Sequence, residues 1–416
     1  MSPGFVDDPY PAYAAIRNAD PVFWSEAWGA WLITRYDDLE RIARDPAGFS
    51  NAGRVAARLE QVHGAPPGEL DVLTNHFGHG VIDSDPPAHT RLRSLVMKAF
   101  APRVVEHSRI RIEAIADELV EQMIGSDDPD IVRDVAFPLP AYVISELFGF
   151  PVEDRDRFKR WADRITSFYG VPTVERLTAA RDAQDAVIEA RGWLSDLIVD
   201  RRAEPRDDLL TALVMARERD DRLTEEELLA VCVTFMIAGH ETTTSLIAVG
   251  LLSLLRHPDQ MHRYRDDPNV ARSGIEELLR YETPVQRNGR VVRTDVTVGG
   301  KRLRKGDLVL LLNGAANRDP AAFADPDRLD VGRVADRHLA FGVGIHFCVG
   351  AALARLEAPI ALSRLLRIPG LAIGDAGPSW TARSQLRTLA SLPITVEIRD
   401  GRTRGRGAPG PILPGG

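Results

Sequence analysis

The chain carries only two cysteines, Cys232 and Cys348, in 416 residues. Two thiols are too few for a disulfide framework and fit a reducing compartment. They also exclude a four-cysteine [2Fe–2S] centre. Lysine is scarce: it occurs at Lys98, Lys159, Lys301 and Lys305, and arginine supplies the other basic side chains. A net charge of −8 argues against nucleic acid as a partner. Long hydrophobic runs are missing. The longest, Leu228 to Ala238, is interrupted by Thr234 and is too short to span a bilayer. The opening stretch MSPGFVDDPYPAYAAI has neither a basic n-region nor an apolar h-region, so no signal peptide and no membrane anchor are expected. Internal repeats are also lacking. What is present is an apolar content of 44%, enough for a sizeable core.

Helical periodicity dominates the pattern. A short helix is expected over Tyr10 to Asn18, a strand at Trp31 to Arg35, and a helix from Tyr36. The stretch 51–80 is rich in glycine and proline and reads partly as a long loop, a place where function often sits. Gly170, Val171 and Pro172 break one helix and lead to the next, from Val174 to Arg202. Thr224 to Glu227 forms a capping box, with Thr224 as N-cap and Glu227 three residues in. The helix it opens runs to Arg256, where His257-Pro258 stops it. About 33 residues give roughly 50 Å, and so apolar a helix must cross the core. Cys232 lies in this helix as a core residue. Beyond it come a helix from Asn269 to Tyr281 and short strands at Arg290 to Val292, Val296 to Val298 and Leu308 to Leu312. The stretch 401–416, rich in Gly, Pro and Arg with no apolar face, is expected to be a flexible tail.

The most informative segment is FGVGIHFCVG, Phe341 to Gly350. Cys348 stands among glycines, directly before the helical pattern AALARLEA. A thiolate there sits at a helix N-terminus, where free N–H groups favour an anion. Gly342, Gly344 and Gly350 permit positive φ and close approach to a flat partner. Amide donors turned to the sulfur would lower its basicity. Those are the needs of a soft iron ligand. The competing reading of a lone intracellular cysteine is an inert buried thiol.

The decapeptide resembles the haem-binding loop of the cytochromes P450: Phe341, Gly344, His346, Cys348 and Gly350 occupy its positions. Cysteine-thiolate ligation is that family's mode of holding haem. The resemblance extends to AGHETT, Ala238 to Thr243, in the middle of the long helix. It is similar to the family's oxygen-binding stretch, which implies that Glu241 and Thr242 relay protons, with Ala238 against the haem and a local helix distortion making room for O2 and water. Where other members have Asp, this chain has Glu. Read alone, Glu241 could be a surface acid and Thr242 could bond back to a carbonyl four residues earlier. Glu277 and Arg280, at i and i+3 on one helix face, match the family's structural pair, with Arg333 as its third member. The haem propionates need buried donors, and the resemblance gives that role to His89, Arg93, Arg290 and His346. By family position, Phe77, Val81, Phe168, Thr234, Ala238, Val285 and Leu389 line the substrate pocket.

The resemblance implies a mainly α protein with small β-sheets, haem b lying between the central helix and the Cys-loop helix, and residues 1–400 forming one catalytic domain. It implies a cytoplasmic haem-thiolate monooxygenase that inserts one atom of O2 into a hydrophobic small molecule such as a terpenoid, steroid or polyketide. With no flavin or iron–sulfur motif in the chain, electrons are expected from a separate ferredoxin and an NAD(P)H-dependent reductase. Arg91, Lys98, Arg103, Arg337, His338 and Arg355 form the basic patch expected to dock that ferredoxin. Other readings within haem chemistry are a peroxide-driven oxygenase and an oxidative coupling enzyme. A haem sensor has no need of the Glu241-Thr242 pair, and a Cys–His hydrolase leaves the glycine-helix grammar unexplained.

Overall fold

The computed structural model describes residues 3–60, 62, 64–100, 102–170, 176–218, 221–334, 337–382, 385–397 and 403–404. Its axis is the helix Glu225–Arg256, opened by the expected capping box: Thr224 Oγ1 accepts from Glu227 N at 3.3 Å, and Thr224 N donates to Glu227 Oε2 at 2.8 Å. It is apolar almost all round because it is packed on nearly all sides. Helices Pro138–Phe148, Arg176–Ala203 and Ala351–Leu365 lie against it. Gly239 is the contact point with the first of these. A Cβ there would meet Ile144 Cδ1 at 2.6 Å, so glycine's cost within a helix is offset by close packing. Among the described residues this is the one helix long and apolar enough to cross a membrane, and two thirds of its apolar window is buried inside the protein. Cys232 is buried in it, as expected.

The β structure is small. Its main sheet has five strands in the order Val22–Ser25, Ala30–Ile33, Leu308–Leu311, Asn288–Val292 and Phe49–Ser50. Ala30–Ile33 runs parallel to Leu308–Leu311, with Ala30 opposite Leu308, and the other pairs are antiparallel. One face of this sheet carries its own core of Val22, Ile33, Val292, Val309 and Leu311. The expected strands at 290–292, 296–298 and 308–312 appear as Asn288–Val292, Val296–Val298 and Leu308–Leu311. The glycine-rich stretch expected to be partly loop holds two short helices, Arg54–Leu59 and Asp71–Gly78. In the stretch expected to be a flexible tail, Thr403–Arg404 pairs with Val396 and Glu397, because the preceding strand Ile394–Glu397 offers an open edge there. The turn expected at Val171 and Pro172 lies outside the described residues, between helices Arg155–Gly170 and Arg176–Ala203.

The segment before the Cys loop is fastened by a buried ion pair. Arg280 and Glu277, both fully buried, bond at 2.7 and 2.8 Å on helix Val270–Tyr281. Arg280 also donates to the carbonyls of Asn317, Pro326 and Arg328, and Arg333 reaches Glu277 Oε1 at 3.2 Å. Each guanidinium proton thus finds a carbonyl or carboxylate, which is the condition for burying such charges. This network holds 317–333 against the helix and so sets where the chain enters the Cys loop.

Candidate active site

Phe341 to Gly350 forms a tight loop. Cys348 N donates to Phe341 O at 2.9 Å, and Gly344 to His346 make one 3-10 turn. Gly342 and Gly344 have φ of 68° and 78°, as their glycines predict. A Cβ on Gly344 would meet Ala43 O at 2.9 Å, so this glycine also admits the neighbouring helix Tyr36–Ala43. Gly350 departs from the expectation: its φ is −80°, an ordinary value, because it is the N-cap of helix Ala351–Leu365. A Cβ there would stand 3.9 Å from Cys348 Sγ, an ordinary van der Waals contact.

The backbone N–H groups of Gly350 and Ala351 face the sulfur and favour its anionic form. The expected lowering of the thiol's basicity is not the net result. Burial pushes the thiol up, and the two N–H groups with Arg93 and Arg355 only partly pull it back. The Cys348 side chain is exposed.

Donors converge beside this loop. The rings of His89, on helix Ala88–Ala99, and His346 lie with centroids 4.2 Å apart. Burial, then His89, Arg290, Arg54 and Arg93, push the His346 pKa down to about 2. Burial, then Arg54, pushes Arg290 down to about 10. Among the described residues, neither ring nitrogen of buried His89 has a hydrogen-bond partner. Arg93 Nη2 donates to Phe347 O at 2.8 Å, so the basic helix is seated on the Cys loop. Buried donors gathered this way fit a group that brings carboxylates.

The central helix opens opposite its packed faces. Ala238 is exposed, while Thr234, Ile237 and Thr242 on the same stripe are half-buried. They form one wall of a cavity whose empty space, part of it open to solvent, is about 920 Å³, closed further by Phe77, Ile82, Val285 and Leu386. Its polar rim holds the Arg54–Asp83 ion pair, Asn288 and Gln385. Of the sequence-predicted lining, Phe77, Thr234, Ala238 and Val285 are on this cavity. Val81, Phe168 and Leu389 are buried in the core instead. Ile82 takes the place of Val81. Leu386 takes that of Leu389, because Val285 and Leu386 are bridged as a β pair. Phe168 is replaced by Thr166, two residues back and about 200° round the same helix.

The acid–threonine pair also differs from expectation. The helix runs as an α-helix through Ala238 to Thr243 with no local distortion. Thr242 Oγ1 donates to Ala238 O at 2.8 Å, the back-bond that Thr makes readily. Glu241 is buried rather than at the surface, and Thr166 Oγ1 donates to its Oε1 at 2.9 Å. Nothing in the sequence around Thr166 marks it, because the contact joins helices far apart in the chain.

Among the described residues no three His, Cys, Asp or Glu side chains come together. Sulfur at a helix start, carboxylate-seeking donors and an opened core helix fit a haem-thiolate protein. Known proteins carry this further. A cytochrome P450 family profile matches residues 62–368. Cytochrome P450 107B1 of Saccharopolyspora erythraea is 42% identical over 402 residues, 94% of this chain and 95% of that protein. Cytochrome P450 monooxygenase PikC of Streptomyces venezuelae is 41% identical over 413 residues, 97% of this chain and 94% of that protein. The solved structure of the Bacillus subtilis 168 bacillaene polyketide synthase cytochrome P450 PksS superposes with a TM-score of 0.84 at 36% identity, covering 95% and 98% of the two chains. The chain belongs to the cytochrome P450 family. It is a monooxygenase with haem b as cofactor, and it works with O2, redox partners and a hydrophobic substrate.

The loop is clamped from both sides by Glu276. Arg355, after the loop, bonds it at 2.7 and 2.8 Å, and His338, before the loop, at 2.8 Å. Burial opposes the charge on Glu276, but these donors outweigh it and hold the carboxyl down to about 2. Its contribution to stability is therefore whole above the ordinary value of 4.5 and fades as pH falls toward 2. Glu276→Gln should lower stability at neutral pH by about 1–3 kcal/mol, less to the extent that water screens Arg355. The difference between variant and wild type, read from thermal midpoints, should narrow as pH falls through that window.

Proposed function

We propose that residues 1–400 act as one catalytic unit that inserts one oxygen atom from O2 into a hydrophobic molecule of medium to large size. Cys348 would hold the haem iron through its thiolate, and His89, Arg93, Arg290 and His346 would hold the propionates, with Phe341, Gly342, Gly350 and Ala238 against the haem. The observation that carries this reading is Cys348 at the start of helix Ala351–Leu365, with Arg93 of the carboxylate-seeking cluster donating to Phe347 O beside it. Bound haem supplies O2 activation and oxygen transfer. The protein's part is to place substrate in the cavity, exclude bulk water and move protons through Glu241 and Thr242. Glu277, Arg280 and Arg333 hold the loop's approach. The mostly apolar lining with a polar rim suits an oxygenated hydrophobic skeleton of polyketide type, in line with the name of the Bacillus subtilis neighbour. The test is incorporation of label from isotopically heavy O2 into a ligand first found by its haem spectral shift. Label arriving from water or peroxide instead would reject the reading.

Electrons come from a ferredoxin and its NAD(P)H-dependent reductase, in the cytoplasm. The basic patch is smaller than the sequence implies. Arg91 is tied to Asp221 and Glu227, and His338 and Arg355 share Glu276. The side chain of Arg103 lies outside the described residues. Lys98 and Arg337 remain exposed. Reduction by an acidic ferredoxin should slow as salt shortens the Debye length from ~10 Å at 0.1 M to ~3 Å at 1 M, with a shallow slope set by few charges. Lys98→Glu and Arg337→Glu should slow it at low salt and leave substrate affinity unchanged. A reduction rate indifferent to salt and to both reversals would remove this docking face.

A further inference from the structure

Thr166 touches the acid of the proton pair from a helix the sequence does not connect to it. Its Oγ1 is 2.9 Å from Glu241 Oε1, 2.8 Å from Ala162 O and 3.2 Å from Asp163 O. A hydroxyl has one hydrogen and two lone pairs, so it donates to only one of these acceptors at a time. Two arrangements follow. When Glu241 is ionised, Thr166 donates its hydrogen to Oε1. When Glu241 is protonated, the carboxyl donates to Thr166 Oγ1, and the threonine's own hydrogen turns to Ala162 O. Each arrangement leaves both side chains bonded in a place where Glu241 is only 7% exposed and a lost partner is costly.

We propose that Thr166 is the positioning residue that holds the Glu241 carboxyl in one place through both of its protonation states. The proposal rests on the reading of Glu241 as a proton carrier. Thr166 rotates but never ionises. The proton that Glu241 gives up leaves toward the cavity and is replaced from solvent, and the hydroxyl hydrogen stays on Thr166 throughout. The other charged side chains on the same cavity, Arg54 and Asp83, are bonded to each other. Thr166 also lines the cavity, so its hydroxyl lies where substrate and carboxyl meet. Specificity of the role to the hydroxyl is what separates it from packing: serine keeps the oxygen, and valine keeps the shape.

The experiment uses the haem-loaded protein with its electron supply and reads two quantities in Thr166→Val and Thr166→Ser. The first is product formed per NAD(P)H consumed. The second is the infrared band of the protonated Glu241 carboxyl, assigned by its disappearance in Glu241→Gln. Thr166→Val should lower product per NAD(P)H roughly tenfold, below the ~10²-fold or more of a direct proton donor. It should also shift the carboxyl band to higher frequency, as a weaker hydrogen bond requires. Thr166→Ser should restore both. An unmoved band in Thr166→Val overturns the proposal, and so does a serine variant no better than valine. So does wild-type product yield in Thr166→Val when Glu241→Gln is impaired. If Glu241→Gln itself keeps full yield, the proton-carrier reading falls, and the band shift alone decides whether Thr166 holds the carboxyl.

Discussion

Replacing Cys348 with His is expected to abolish the thiolate-type spectrum of the reduced carbon monoxide complex and, with it, monooxygenase activity. Arg93 acts on the sulfur, but the donor cluster at His89, Arg93, Arg290 and His346 is unchanged in this variant, so haem should still be retained to some extent. What is lost is the anionic ligand whose electron donation favours O–O cleavage. The two N–H groups that face Cys348 would then meet an imidazole that needs no such donors. The paired control is Cys232→Ala. Cys232 is fully buried in the central helix, and burial drives its thiol far above the ordinary range, so it has no access to a ligand. That variant should lose some stability to a small cavity and keep the spectrum unchanged. A thiolate signature surviving in Cys348→His, or lost in Cys232→Ala, would reverse the assignment.

The parts of the molecule that the sequence made legible are those governed by local rules. The capping box at Thr224 and Glu227 and the stop at His257-Pro258 set the central helix to within a residue of its observed span, Glu225–Arg256. Glycine positions in the Cys loop anticipated positive φ at Gly342 and Gly344. Contacts that depend on tertiary approach were less visible. Gly350 has an ordinary φ and serves as the N-cap of the next helix, a role its glycine does not announce. The local reading of AGHETT was right in one half and wrong in the other: Thr242 does bond back to Ala238, but Glu241 is buried rather than at the surface. Which residue of a neighbouring pair faces the cavity, Ile82 or Val81, depends on how the chain leaves helix Asp71–Gly78, and periodicity says nothing about that. The charges of the basic patch were counted correctly in sequence, but their partners, Asp221, Glu227 and Glu276, lie far along the chain.

Thr242→Ala and Glu241→Gln are expected to keep binding substrate and consuming NAD(P)H while product falls and peroxide rises. Both changes are mild structurally, which makes the outcome diagnostic. Alanine is a better helix former than threonine, and the hydroxyl it removes bonds only within its own helix, to Ala238 O. Glutamine keeps an oxygen for the hydrogen of Thr166 and fits the same buried space. Folding and haem binding should therefore survive, and the deficit should appear in proton delivery. Because the Thr242 hydroxyl donates to Ala238, its lone pairs remain to accept a proton donor from the cavity side, where Thr242 and Glu241 stand together. A positioned donor contributes ~10²–10⁴-fold, so product per NAD(P)H should drop by a large part of that range in Thr242→Ala. Glu241→Gln should slow NAD(P)H use as well, since it removes the group that exchanges protons with solvent. Thr242→Ser, which retains the hydroxyl, should recover most of the yield. If both Thr242→Ala and Glu241→Gln form product as the wild type does, protons reach the site by another route or the reaction runs on peroxide. Adding hydrogen peroxide without NAD(P)H decides between these, because only a peroxide-driven oxygenase would then turn over at its full rate.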